Sequence, residues 1–413
     1  MRKEEFYKEA IPNSRGPLGG IKVLEATTTQ AGPVAGAILV DLGAESIKVD
    51  APVMGELGRH VPPHLNIPNK LEASTYYLTL NRGKRGITLT LNKPEGQEVF
   101  RQIAEKMDVI IQNYKPGTME KWGLGYEDIR KINPNIVYVS LSGYGQFGPY
   151  QHKPGYDPIG QAMSGFMSIT GFPDGPPMKS GGALADNLTG WQGAMGALAA
   201  LYYRAKTGRG QHVESSLVDA MLGVSDWGIM MAANLDLLWE RRGNAYGPVG
   251  LDPVVKCKDE YICLLVALDS HWARMCKLMG REDLIEDPRT KNLTARAEHA
   301  DLINGVIGDW AKERTAAEAV RILEEADLAV APILNFKQIL EDKHIQERDM
   351  IAEVEHPVAG KLKLYGVPTK YSLTPAHVKG PAPMLGQHNE EIYGGMLRFD
   401  KKKMEELKGK GII

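Results

Sequence analysis

Asp186 is the acid in this sequence best suited to covalent chemistry. It stands in Gly181-Gly182-Ala183-Leu184-Ala185-Asp186-Asn187-Leu188-Thr189-Gly190, after a long irregular stretch and just before a predicted helix. Small neighbours leave the carboxylate open, and a helix N-terminus favours its ionised form. An ionised, accessible carboxylate is what a covalent nucleophile requires. The same position suits a helix cap, a role Asp fills well. Residue types alone leave both roles open.

Other residues offer binding rather than bond-making. Gln30-Ala31-Gly32-Pro33 opens a helix directly after a strand, so its N–H groups could receive a phosphate or a carbonyl oxygen. It lacks the second and third glycines of a dinucleotide fingerprint, and a tightly packed helix start explains it equally well. Gly143-Tyr144-Gly145-Gln146-Phe147-Gly148 matches GxGxxG literally. That motif works only where the glycines open a helix, and Pro149, Pro154 and Pro158 forbid one here. The charged turn Asn81-Arg82-Gly83-Lys84-Arg85-Gly86 could pair with phosphates, or simply be solvated. The 10 histidines form no metal constellation: His60 and His64 are four apart, but Pro62 and Pro63 keep them off one helical face. No nucleophile elbow or Walker loop occurs.

These residues need a scaffold, and the chain is long enough for one. It has 413 residues, 43% hydrophobic and 24% charged, with Lys+Arg 49 against Asp+Glu 51 and a net charge of −2. That balance argues against a nucleic-acid-binding surface, which would carry a basic excess. Gly 45 and Pro 25 imply many turns and close backbone approaches. Cys257, Cys263 and Cys276 are too few and too clustered for a disulfide framework and read as small buried hydrophobes in a reducing compartment. The charged start, Met1-Arg2-Lys3-Glu4-Glu5, has no apolar run of the secretory kind. The apolar stretches Gly190–Tyr203 and Leu217–Trp239 read as buried core helices rather than membrane spans. The expected location is cytoplasmic.

Ile21–Glu25 has strand character, Pro33 suits the first turn of a helix running to about Leu42, and Ser46–Asp50 is a second strand. The pattern repeats: strand Gly86–Leu91, helix Pro94–Lys106, strand Val109–Gln112, helix Tyr126–Ile132, strand Ile136–Ser140. Alternation of this kind predicts a doubly wound α/β domain with a parallel sheet. From Gly143 to Ala185 it stops, and a long irregular stretch inside a compact domain is usually functional. Two long helices follow, Thr189–Thr207 and Leu217–Trp239. A strand at Tyr261–Ala267 and helices near His271–Met279, Glu298–Lys312 and Ala316–Ala326 read as a smaller α+β domain. Val330–Leu334 looks like a strand returning to the first domain. The expected division is a Rossmann-like large domain over 16–240, a small α+β domain over 241–334, and a C-terminal segment over 335–413 that returns to the large domain.

The whole chain resembles the family III CoA-transferases, the CaiB/BaiF group that includes formyl-CoA transferase. The matching blocks are Gly20–Glu25 with Gln30–Pro33; Leu42–Val49; Asn81–Gly86 with Lys93–Gly96; and Asn113-Tyr114-Lys115-Pro116-Gly117. They continue through Gly143-Tyr144-Gly145 with Pro154-Gly155-Tyr156-Asp157, then Thr207–Gln211, and finally Leu385-Gly386-Gln387-His388. Ordered matches from residue 20 to 388 are far more specific than any lone motif. The resemblance implies two chains wound together as interlocked rings, either a homodimer or a pair with a related paralogous subunit. It implies no prosthetic group and no metal, with a CoA thioester as co-substrate.

Carried onto this sequence, the family's nucleophile falls on Asp186. It would attack the acyl-CoA thioester to give an aspartyl anhydride, then an aspartyl-CoA thioester from which an acceptor carboxylate collects the CoA. Each step passes through an oxyanion needing N–H donors. Gln30 and Ala31 match positions near that chemistry, and Tyr156 and Asp157 match residues beside the carboxylate. Leu89, Thr90, Leu91 and Asn92, with Asn113, Tyr114, Lys115 and Lys121, match CoA-contacting segments, to which Gln30, Ala31 and Tyr156 are added.

The sequence also departs from the family. A CoA-nucleotide arginine is Ala51 here, a CoA-binding lysine is Asn92, and another arginine is Lys121, which keeps charge but loses the planar fork. The glycine-run loop of formyl-CoA transferase is absent around residues 243–256, which disfavours formate and oxalate. A succinyl-CoA donor and a bulky or aryl-substituted acid suit such a site. The α-methylacyl-CoA racemases share the fold but use a histidine where this chain has Tyr156. A tyrosine of reference pKa about 10 is a poor base near neutral pH. A catalytically silent CoA-binding subunit is the third reading, favoured by Ala51 and Asn92 and opposed by Asp186.

Overall fold

The computed structural model describes residues 1–245 and 250–413. The chain forms two compact units. The first combines Met1–Ser164, Gly181–Val224 and Lys343–Ile413; the second combines Gly165–Ser180 with Ser225–Asp342. The chain enters the second unit twice, at Gly165–Ser180 and at Ser225–Asp342, before the C-terminal segment from Lys343.

The first unit is built on a six-stranded sheet in the order β3-β2-β1-β4-β5-β6. Its strands are β1 (Lys22–Ala26), β2 (Glu45–Asp50), β3 (Arg85–Thr88), β4 (Val109–Gln112), β5 (Val137–Ser142) and β6 (His212–Ser216), and every pairing is parallel. Strands buried on both faces read as near-continuous apolar runs, and the alternation divides each between two cores. Val23, Val109, Ile111, Val137 and Val139 face the helices Ala31–Asp41 and Leu184–Thr207. Leu24, Ile110 and Tyr138 face the opposite core, which contains Phe100 and Ile103 of helix Pro94–Ala104 and, from the C-terminal segment, Ile392, Tyr393 and Leu407.

The two helices on the first face approach closely because their contact is made of small residues. A Cβ at Gly190 would lie 2.6 Å from Val34 Cγ1 and 2.8 Å from the Ala31 carbonyl oxygen. The order of the sheet reverses between β1 and β4, each of which starts a run of strands to its own side. In an open α/β sheet, the crevice beyond the strand C-termini at such a point is where ligands bind.

The C-terminal segment covers the edge strand β3, which otherwise would leave a row of backbone groups unpaired. Gly86 N donates to His388 Nδ1 (3.0 Å) and its oxygen accepts from His388 N (2.9 Å). Thr88 N donates to Asn389 Oδ1 at 2.9 Å, and the Tyr393 hydroxyl donates to Thr88 O at 2.6 Å. The same segment carries the antiparallel hairpin β10 (Ile351–His356) and β11 (Gly360–Tyr365).

The second unit has a three-stranded antiparallel sheet of β7 (Val254–Lys256), β8 (Tyr261–Leu265) and β9 (Ala329–Pro332). Trp272 and Met275 of helix Asp269–Met279, Ile303 of Ala300–Ala311 and Leu323 of Ala316–Glu325 pack with Ile262 and Leu264. The strand expected to return to the large domain instead stays in this unit, as β9 paired with β8.

Four further expectations are corrected. The stretch Gly143–Ala185 is not wholly irregular, since it contains helices Asp157–Met163 and Phe166–Ile169, with Pro158 tolerated in a first turn. The long helix Leu217–Trp239 is two, Leu217–Leu222 and Gly228–Leu235, broken where Asp226 adopts φ 49°. The second of these is not core, because Ile229 is 57% and Met230 63% exposed. Cys263 is exposed, although Cys257 and Cys276 are buried. Lastly, the charged turn at 81–86 is neither solvated nor free for phosphate. Arg82 pairs with Asp41 and Lys84 with Glu25, and Asn81, Arg82 and Lys84 are all buried.

Among the described residues no helix is long and apolar enough to cross a membrane. Part of the 243–256 stretch, residues 246–249, lies outside the described residues.

Candidate active site

The turn after β1, the turn after β4 and the start of helix Leu184–Thr207 meet at the C-terminal end of the sheet, around a cavity of about 530 Å³. Asp186 lies in its lining. The helix begins five residues earlier than the sequence indicated, with Ala183 at the N-cap, so Asp186 belongs to its first turn and is not its cap. The capping acceptor comes from elsewhere in the chain. Asp157, buried at the start of helix Asp157–Met163, accepts from Ala185 N at 2.8 Å and from Asp186 N at 3.4 Å through Oδ1. Its Oδ2 accepts from Gln161 Nε2 at 2.7 Å. One carboxylate therefore fixes the backbone that carries the other.

That arrangement sets the charge state of the site. Burial, and then the nearby Asp157 charge, push the Asp186 carboxyl up to about 7. The freely ionised carboxylate expected from the helix N-terminus is thus corrected, since desolvation and a like charge outweigh the helix dipole. Tyr76 also lines the cavity, and its hydroxyl is held well above the usual phenol range by burial and then by the charge of Asp186. It stays protonated and can donate a hydrogen bond. Nothing in the sequence around Tyr76 distinguishes it from the core residue Tyr77 beside it, so sequence reasoning missed it.

The turn after β1 is held from two sides. Asn113 accepts from Thr28 N and donates to Thr28 O, both at 2.8 Å. Glu56 accepts from Thr28 Oγ1 at 3.0 Å and from Thr29 N at 2.8 Å. Gln30 is the N-cap residue of helix Ala31–Asp41, and its side chain donates to Asn187 Oδ1 at 2.8 Å, one residue past Asp186.

The structure brings together Asp186, Tyr156, Asp157, Ala31, Asn113, Tyr114 and Lys115 in one lining. Tyr156 is 65% exposed there. Gln30 is not part of the lining, and its side chain reaches Asn187 beside Asp186. Leu89, Thr90, Leu91, Asn92 and Lys121 lie outside the lining. Leu89 and Leu91 are core side chains, while Thr90 N and Oγ1 donate to Ile412 O and Gly411 O, both at 2.8 Å. Asn92 and Lys121 are exposed. After Gly148 the chain bends without forming a helix, and Gly143 presses instead against Gly155, where a Cβ would lie 2.6 Å from its Cα. Among the described residues, no group of three or more His, Cys, Asp or Glu side chains is placed to hold a metal ion.

A carboxylate at a sheet-end cavity beside a helix N-terminus is the equipment of an acyl-transfer site, and comparison with known proteins agrees. The sequence profile of CoA-transferase family III matches residues 18–389. The chain is 34% identical to a succinyl-CoA–D-citramalate CoA-transferase of Chloroflexus aurantiacus, over 96% of this chain and 98% of that one. It is also 34% identical to a formyl-CoA:oxalate CoA-transferase of Streptomyces coelicolor, over 96% and 99%. Among solved structures, a CaiB/BaiF family protein from Brucella suis aligns with a TM-score of 0.81 at 32% identity, covering 92% of this chain and 99% of that one. This chain belongs to CoA-transferase family III, and it is an enzyme of that class.

Proposed function

We propose that this enzyme moves CoA from an acyl-CoA thioester to a free carboxylic acid with Asp186 as nucleophile. One observation carries the reading: Asp186 shares a single cavity with Asp157, Tyr156, Ala31 and Asn113–Lys115. The ionised Asp186 attacks the thioester carbonyl carbon, and the C–S bond breaks to give an aspartyl anhydride and CoA thiolate. The thiolate attacks the aspartyl carbonyl and releases the donor acid, leaving an aspartyl-CoA thioester. The acceptor carboxylate attacks that carbonyl and frees the thiolate again. The thiolate then attacks the acceptor's acyl carbon, forming the new thioester and regenerating Asp186.

No step consumes a proton, so the sequence of reactions needs no general base. That fits a lining without histidine among the described residues, and it favours transfer over the two-base racemase chemistry. The N–H groups at the start of helix Ala31–Asp41 are in reach of the chain's own cavity and suit a developing oxyanion. Asn113, Tyr114 and Lys115 form the wall for the CoA arm. Leu89 to Asn92 and Lys121 would meet CoA beyond this lining, and Leu89 and Leu91 could do so only through backbone groups. Succinyl-CoA is the proposed donor, supported by the name of the Chloroflexus relative. A bulky or aryl-substituted acid is the proposed acceptor, and two interlocked chains are the proposed assembly.

Incubation with a panel of short acyl-CoA thioesters, followed by hydroxylamine and peptide mass spectrometry, tests the mechanism. A hydroxamate on Asp186 is expected, strongest with the productive donor. Turnover of a thioester with Asp186 unmodified would overturn the nucleophile assignment.

A further inference from the structure

We propose that Glu56, which does not line the cavity, is a positioning residue for the transfer step, holding the turn after β1 in the shape that presents the N–H groups at 30 and 31 to Asp186. This rests on the aspartyl mechanism above. Glu56 is 7% exposed, and its Oε2 gathers three donors: Thr28 Oγ1 at 3.0 Å, Thr29 N at 2.8 Å and Gly58 N at 2.7 Å. Among the described residues its Oε1 has no hydrogen-bond partner, and it lies 3.8 Å from the ammonium of fully buried Lys48. Lys48 in turn donates to the carbonyl oxygen of Thr27.

What this clamp holds is an unfavourable conformation. Thr29 has φ 57°, a left-handed setting that a β-branched residue rarely adopts. Such a setting persists only where its surroundings over-determine it. Glu56 takes the Thr29 N–H and the Thr28 hydroxyl, Asn113 takes both backbone polar groups of Thr28, and the Thr29 hydroxyl donates to Thr28 O at 2.7 Å. Every donor of Thr28 and Thr29 is therefore already engaged within the protein. The next N–H groups, those of Gln30 and Ala31, begin a helix whose first-turn donors have no partner within the helix. A reversal of the Thr29 peptide would redirect them.

Glu56→Gln is expected to lower kcat by about 100-fold, the scale of a displacement near 1 Å in a catalytic group. KM for the CoA thioester should change by less than about threefold, since the cavity wall at Asn113–Lys115 is untouched. Thr29→Gly in that background should restore about tenfold of the lost kcat, because glycine adopts positive φ without strain. Glu56 acting only as a buried structural charge would gain nothing from that glycine. Thr28→Val, which removes one donor and leaves the buried charges intact, is the variant to use if Glu56→Gln does not fold, with a kcat loss of about 3- to 10-fold expected.

A crystal structure of whichever variant folds separates this inference from the mechanism it rests on. Thr29 leaving the left-handed region or the turn shifting supports positioning, even for a protein whose Asp186 takes no acyl group. An unmoved turn, an unchanged kcat, a loss expressed in KM, or no rescue by glycine would overturn it.

Discussion

Asp186 feels the charge of Asp157, and among the described residues neither has an ion-pair partner. Close by, beneath the turn after β1, four acids are buried at least as deeply and each has a cation. Glu25 meets Lys84 at 2.8 Å, Asp50 meets Arg59 at 2.8 Å, Glu72 meets Arg59 at 2.9 Å and Glu56 meets Lys48 at 3.8 Å. Desolvation acts on both groups, and more completely on the paired acids than on Asp186. Compensation differs: each acid of the cluster faces a cation, although burial still raises the Asp50 carboxyl despite Lys48 and Arg59, whereas Asp186, with no such cation among the described residues, is held near 7, ready to change state. Perturbed acids at a cleft without a counter-charge are where function is expected, and buried ion-pair networks perturb pKa values for structural reasons.

Removing one charge from each group should therefore have opposite consequences. Asp186→Asn is expected to lower kcat by about 10⁴-fold or more, while equilibrium binding of CoA persists. The same change should stabilise the fold. A carboxyl raised from 3.8 to about 7 is more protonated in the folded than in the unfolded chain. Its cost is absent below the unfolded value, grows between the two, and is full above 7, on the order of a few kcal/mol. Urea denaturation should show a larger gain for Asp186→Asn at pH 8 than at pH 5, and an equal gain at both would refute the assignment.

Lys84→Met tests the other side. It leaves Glu25 wholly buried without its partner, and loss of about 3–5 kcal/mol is expected by the same measurement. Neutral behaviour would mean that Lys48 compensates for Lys84. The smallest effect is expected at Asp157. In the wild type, activity should fall as pH drops through about 7, because Asp186, the proposed nucleophile, becomes protonated. Asp157→Asn removes the like charge but not the burial, so this acid limb should move to lower pH by less than about one unit. A limb that moves upward would show that Asp157 stabilises the ionised Asp186.

Much of this molecule was legible before its structure. Short-range signals did well: Val109–Gln112 and Tyr126–Ile132 fall on the residues expected, and Pro33 marks the helix it opens. Failures came where the deciding partner is remote. Arg82 and Lys84 read as a solvated turn because Asp41 and Glu25, which bury them, lie 41 and 59 residues earlier. Asp186 read as open because the Asp157 carboxyl, which extends the helix beyond its expected start, comes from another segment. The apolar run from Leu217 read as one core helix because composition does not distinguish a buried methionine from the exposed Met230. Resemblance pointed to Asp186, which the structure places in the cavity lining, but said nothing of Tyr76 or of the Glu56 clamp.

The covering of β3 by residues 381–393 has a consequence for how the chain comes to be folded. The bonds that seal that edge join residues about three hundred apart, Gly86 with His388 and Thr88 with Asn389, and the whole second unit is interposed between them. During synthesis the sheet therefore waits, with one side open, for nearly the whole chain to emerge. Long-range closure of this kind is slow, and an open parallel edge invites pairing with other chains in the interval. The price of a first unit assembled from separate segments is thus a window of vulnerability set by translation rather than by stability.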